Sequence, residues 1–246
     1  MAAAVAATPA AAWTQRTQLA IVETAARLAP DDLARQLERH KAALREGVLD
    51  PFADHAGSRH EANADGSGRL RQVVRTEARR TVAGIEGHRP FSEIVHQIGV
   101  LSHFVTDLND PLRVANLDPS ESAYGSRYPR YLDAARKRFT VIYYGTGRRV
   151  GSSAELEALV GRTLERGRQL YPDVAREYRR IGRNGGRFDD RSTAFAVGSL
   201  TYSHAVSDVV AMMRYVWLAA GGSDAGSLPQ RAGDRRVVVD RGAAGR

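Results

Sequence analysis

The stretch TAFAVGSLTYSHAVSDVVAMMRYVWLAA, Thr193 to Ala220, is the most apolar in the chain and restricts its fold more than any other segment. Phe195, Val197, Leu200, Val206, Val209, Val210, Met212, Met213, Val216, Trp217 and Leu218 are too many for one narrow stripe. A helix apolar on most of its surface must be wrapped by other elements. The segment is therefore expected to be the central helix of a core, with partners supplied by the rest of the chain. It falls short of a membrane span, because no run in the sequence approaches the roughly 18 uninterrupted apolar residues that a bilayer requires.

The partners are helical too. Trp13 to Leu28 carries Leu19, Ile21, Val22, Ala25, Ala26 and Leu28 at one-face spacing, and Pro30 with Asp31 and Asp32 marks a stop and a new start. Asp31 to Glu46 reads as the next helix, closed by Gly47. Val48 to Ser67 contains Pro51, Gly57, Asn63 and Gly66 without periodicity and reads as a long loop, a length usually reserved for function or disorder. Helical spacing resumes over Leu70 to Ile85, Phe91 to Leu108, Pro129 to Ile142 and Ser153 to Ile181. No period-two strand, internal repeat or glycine-rich phosphate loop is evident. The expectation is an all-α fold, a single bundle of about seven helices over residues 13–220, followed by a basic irregular tail over 221–246.

Composition limits function less than fold. The 246 residues are 43% apolar, enough for a substantial core, and contain no cysteine, which excludes disulfides and thiolate metal sites. The net charge of +8 suggests a nucleic-acid partner, yet part of the excess lies in the tail at Arg231, Arg235, Arg236, Arg241 and Arg246, opposed only by Asp234 and Asp240. A basic helical nucleic-acid binder would rest on charge alone, since no aromatic-interleaved patch accompanies it. Residues 1–12, small and Ala-rich, read either as a truncated export signal without its positive region or as a flexible leader.

Chemistry concentrates in GVLSHFVTDLNDPLRVAN, Gly99 to Asn116. His103 and Asp107 lie one helical turn apart in a mostly apolar run, so imidazole and carboxylate point the same way. Three readings are open: a hydrogen-bonded pair within the core, a metal site, or an acid/base pair. A metal needs further ligands, and the long loop offers Asp50, Asp54, His55 and His60, with His55 and His60 alternatively plain solvated histidines. His204 and Asp208 repeat the HxxxD spacing on the last helix and read as a polar pair at its margin, the alternative being a further pair of metal ligands. His96 reads as a satisfied core histidine, while His40 and His88 read as surface residues.

Through Leu101, His103, Phe104, Asp107, Pro111 and Asn116, this stretch resembles the pattern LxHYxxDxxxPxHaaN of the zinc-dependent phospholipase C and fungal single-strand-specific nuclease superfamily. Trp13 with Thr17, Ile21 and Leu28-Ala29-Pro30, the Gly47 to His60 loop, and the Trp-ending last helix are similar to other family segments. The resemblance implies an all-α hydrolase in which up to three zinc ions bind a phosphodiester, either phospholipid or nucleic acid, and activate water. Carried over, Asp50, His60, His103 and Asp107 would ligate one zinc, Asp107 also bridging toward a second; Asp54 is the alternative to Asp50. Trp13 would bind metal through its free amine only after cleavage behind Ala12, which implies a secreted or periplasmic protein.

The pattern also breaks. The family's early histidine falls on Gln18, a poor zinc ligand, and the histidine after the Asp-Pro step falls on Arg113, a permanent cation. The downstream HxxxE or HxxxD pair is missing from NLDPSESAYGSRYPRYLD. Arg113 could instead fork onto phosphate oxygens, which with Asp107 makes it a candidate catalytic residue. Two functions follow: a zinc-dependent phosphodiester hydrolase with a reduced metal site, or a non-catalytic descendant that keeps the helical fold and at most one zinc. In the second, Arg113 is expected to pair with a carboxylate such as Asp110 or Asp118.

Overall fold

The computed structural model describes residues 13–54, 56–115, 127–145, 151–184, 187–224 and 237–241. The leader at 1–12, His55, Asn116, Asp118, and the tail at 225–236 and 242–246 lie outside the described residues. Nine α-helices occur among the described residues: α1 (Gln15–Ala26), α2 (Asp31–Arg39), α3 (Lys41–Leu49), α4 (Leu70–Glu86), α5 (Phe91–Leu108), α6 (Pro111–Val114), α7 (Arg127–Ala135), α8 (Ser153–Asn184) and α9 (Thr193–Ala219). The fold is all-α. No helix among the described residues is long and apolar enough to cross a membrane.

The expected central helix is central. α9 packs against α8, α5, α1 and α4, and buries Val197, Tyr202, Ala205, Val206, Val209, Val210, Met212, Met213 and Val216. At 1.5 Å per residue it spans about 40 Å, so it can serve as a common backing for every other layer. α5 lies beside it, and its own apolar residues Ile94, Val95, Ile98, Leu101, Phe104, Val105 and Leu108 are all buried.

Three departures from the sequence reading have physical causes. The helix expected over Asp31 to Glu46 divides at His40, whose φ of −109° and ψ of 32° end α2 and begin α3. Gly47 does not close a helix but lies within α3, where it lets two backbones touch. A Cβ there would come within 2.0 Å of the His96 carbonyl oxygen, and one on Gly99 within 2.4 Å of that of Leu44. The helix expected to reach Ile142 stops at Ala135, passes through a 3₁₀ turn (Arg136–Arg138), and gives way to strand β1 (Thr140–Tyr143).

The β1 sequence TVIY is β-branched and aromatic, a composition suited to a pleated surface. β1 pairs antiparallel with β2 (Val237–Arg241), placing a strand in the tail expected to be irregular. On the other side, the N–H groups of Ile142 and Tyr144 donate to Ser203 Oγ at 3.2 Å and Ser207 Oγ at 3.0 Å, so α9 side chains occupy ladder positions.

Local signals explain several boundaries. Thr14 caps α1 by accepting from the Thr17 N–H. Ser152 and Glu155 form a capping box at the start of α8: the Glu155 N–H donates to Ser152 Oγ at 3.3 Å and the Ser152 N–H to Glu155 Oε2 at 2.9 Å. Between α5 and α6, Asn109 Nδ2 donates back to the Val105 carbonyl at 3.0 Å, and Asp110 accepts from the Leu112 N–H at 2.8 Å with Pro111 at the first helical position.

Candidate metal centre

α5 carries His103 and Asp107 on its buried face. The 3₁₀ turn Gly57–His60 brings His60 onto the same spot. All three are at most 6% exposed. His60 Nδ1 lies 2.7 Å from Asp107 Oδ2, His103 Nε2 lies 3.3 Å from the same oxygen, and the two ring nitrogens are 3.3 Å apart. Donor atoms at the corners of a tetrahedral zinc site, each about 2.0–2.1 Å from the ion, are separated by about 3.3 Å.

The tautomers sharpen the picture. His103 Nδ1–H donates to the Val48 carbonyl at 2.9 Å, which leaves a lone pair on Nε2 facing the lone pairs of Asp107 Oδ2. Two acceptors in that arrangement require a cation between or beside them, either a proton or a metal. On the far side, Gln18 Nε2 of α1 donates to Asp107 Oδ1 at 3.0 Å, while Gln18 Oε1 and His60 Nε2 are buried without a hydrogen-bond partner. Where a proton is the cation, burial pushes the Asp107 carboxyl up, while the His103 imidazolium charge, hydrogen bonds from His103 and His60, and the Arg113 charge outweigh it and hold the group well below the usual carboxylate range. The donor set of two imidazoles and one carboxylate fits zinc, and three protein donors is the count of sites that keep a position open.

The His60 turn is fixed by protein contacts. Arg59 pairs with Asp54 and Glu77 and lies 5.2 Å from the Phe104 ring centroid, tying the turn to α4 and α5. Arg168 of α8 donates to the carbonyls of Ala62 at 3.1 Å, Asn63 at 2.9 Å and Val114 at 3.0 Å, so the long loop and α6 are clamped together. Phe52 packs edge-on against His103 at 4.7 Å between ring centroids.

The other expected site residues lie elsewhere. Asp50 pairs with His96 Nε2 at 2.8 Å near the surface rather than joining His60, His103 and Asp107. His96 is correspondingly part-exposed and not a core histidine. Asp54 is committed to the Ala56 N–H and to Arg59, and these contacts, the Ala56 N–H foremost, hold its carboxyl below its ordinary value against burial. Arg113 lies 3.7 Å from Glu61, a carboxylate other than the expected Asp110 or Asp118, and its Nε is buried without a partner. Asp110 caps α6, and burial pushes its carboxyl up to about 7 against the pull of the Leu112 N–H and Arg113.

His204 and Asp208 do not form the expected pair. Asp208 turns to Thr163 and Arg166, while His204 stacks on Tyr144. His88 is exposed, as expected, and His40 is half-buried at the α2–α3 junction. Trp13 is buried against Tyr202, and its Nε1–H donates to the Thr106 carbonyl at 3.2 Å, one residue before Asp107.

A solved structure of Clostridium perfringens alpha-toxin, isolated from avian strain SWCP, shares this fold. The TM-score is 0.65 at 11% identity, over 88% of this chain and 66% of the toxin chain. The match thus spans just under two thirds of the toxin chain. No protein-family model matches the sequence, and no curated protein matches it in a sequence search. At such low identity the likeness to alpha-toxin establishes the helical architecture; the chemistry rests on the residues themselves.

Proposed function

We propose that this chain is a zinc-dependent phosphodiester hydrolase of the phospholipase C type, acting with a reduced metal site. The observation that carries the reading is the convergence of His60 Nδ1, His103 Nε2 and Asp107 Oδ2, with the His103 tautomer set by the Val48 carbonyl. The likeness of the fold to alpha-toxin supports it. The three residues would hold one zinc, which supplies Lewis acidity toward a phosphodiester oxygen and toward water. Gln18 fixes the orientation of the Asp107 carboxylate. Arg113 contributes positive charge close to Asp107 and, released from Glu61, could fork onto a phosphate. A phospholipid or nucleic-acid phosphodiester and a secreted or periplasmic location belong to the same proposal.

A second reading is favoured by specific contacts. Gln18 occupies Asp107 Oδ1, the carboxylate oxygen that does not face His60 and His103, and Arg113 is paired with Glu61. Those contacts fit a non-catalytic descendant with a single zinc. Elemental analysis of purified protein beside a His103→Ala control tests both readings. Zinc that disappears in the control, together with release of product from a phosphodiester substrate, is the expected result. Zinc without turnover selects the non-catalytic descendant, and no zinc in the wild type would reduce the three residues to a buried polar cluster.

A further inference from the structure

A cavity of about 330 Å³ opens between α8, α9 and the segment following β1, and none of His60, His103 and Asp107 lines it. One wall is α8, where Arg162 and Arg166 stand four residues apart and therefore share a face. The opposite wall is α9, with His204, Asp208 and Ala211. Tyr144 closes the end, its ring stacked on His204 with centroids 4.5 Å apart and planes 20° apart.

The charges do not balance. Arg166 is paired with the buried Asp208, which also accepts from Thr163 Oγ1 at 2.9 Å. Arg162 is exposed and meets no carboxylate among the described residues. His204 makes its ring stack but no hydrogen bond within the described residues. Three nitrogen-bearing groups thus face a concave space with a single carboxylate between them. Such a site attracts an anion, and three donors approaching from two helices suit the three terminal oxygens of a phosphoryl group better than the two of a carboxylate.

We propose that this cavity binds a phosphate monoester, with its phosphoryl oxygens held by Arg162, Arg166 and His204. The volume is at the lower end of that used for small organic ligands and exceeds what the phosphoryl group alone would fill. Leu159, Ala211 and the Tyr144 ring line the remainder and suit a small organic substituent. Burial, and then the Arg166 charge, hold the His204 imidazole down at about 4, so it is neutral near pH 7. The groups facing it are Arg162 and Arg166 of α8, Asp208 of its own helix, and Tyr144. A dianion added to this set favours the imidazolium, so binding raises the pH at which His204 titrates.

The test follows the His204 imidazole by NMR in full-length protein during titration with phenyl phosphate, inorganic phosphate and benzoate. Phenyl phosphate is expected to shift the resonance saturably, to move its titration midpoint upward, and to bind at least tenfold more tightly than benzoate. Inorganic phosphate binding as tightly as phenyl phosphate would identify the free ion as occupant of the same site; weaker binding identifies an organic monoester. Arg162→Ala, an exposed position whose loss leaves the Arg166–Asp208 pair intact, is expected to weaken binding at least tenfold with unchanged thermal melting. A His204 resonance indifferent to phenyl phosphate, benzoate binding as well as phenyl phosphate, or an Arg162→Ala protein binding like the wild type would overturn the proposal.

Discussion

Asp107 illustrates how one side chain can be committed on both of its oxygens. Oδ2 faces two imidazoles, and Oδ1 accepts from Gln18, so the amide acts on any bound cation through the carboxylate. Loss of such an outer contact typically weakens metal binding by about 10–100-fold. Gln18→Ala is therefore expected to lower zinc affinity within that range while leaving the protein folded, as read by competition with a chromogenic chelator; unchanged affinity would mean Gln18 is only filling space. His204 makes the complementary case. Its folded titration point of about 4 lies below the ordinary 6.5, so the unfolded chain binds the extra proton first and stability falls as pH drops from about 6.5 to about 4. In phosphate-free buffer, His204→Gln should flatten that limb of a denaturation series, and a slope that persists would assign it to other groups. His103 and Asp107 are readable from the sequence because helical spacing carries them, while His60 is legible only as one candidate in a non-periodic loop, singled out by the family resemblance. The Val48 carbonyl that sets the His103 tautomer is not legible, since a backbone oxygen has no sequence signal. Asp50 failed to join them for a geometric reason: it follows directly after the end of α3 and faces solvent and His96.

Among the helices, the contact between α3 and α5 determines most about the site. Gly47 and Gly99 remove the side chains that would separate the two backbones, and this close approach brings the Val48 carbonyl within reach of His103. A methyl group on Gly99 would meet the Leu44 carbonyl oxygen at 2.4 Å and the Val48 nitrogen at 2.9 Å, backbone atoms that cannot rotate away. Gly99→Ala should cost about 3 kcal/mol or more by forcing the helices apart. That corresponds to a fall in melting temperature of about 6–12 °C for a chain of this size. Calorimetry showing no fall would mean that the helices separate freely. The long helices were legible because their apolar residues repeat every three to four positions. The α2–α3 break was not, because His40 is neither glycine nor proline, and β1 was not, because four residues are too few to establish an alternation.

The candidate metal centre joins parts of the chain that are far apart in sequence. Gln18 comes from α1, Val48 from α3, His60 from the long loop, and His103 and Asp107 from α5, so an ion bound there links elements that the core alone must otherwise hold. Zinc at about a hundred times its dissociation constant should add about 2.7 kcal/mol to stability. In a thermal scan this amounts to a rise of about 5–11 °C that chelator reverses; coincident scans with and without zinc would argue against a folded-state site. A different kind of link closes the other end of the molecule. The chain between Tyr143 and Val237 leaves through β1, forms α8 and α9, and returns through β2, so the ribbon is a non-covalent latch on a very long loop. Long loops are slow to close, and β1 finds its hydroxyl partners Ser203 and Ser207 only once α9 is in place. The latch is therefore the last part to form and the first to open. Amide exchange by mass spectrometry should show the 140–143 segment losing protection before the middle of α9, which would make strand release a step separable in time from collapse of the helical core.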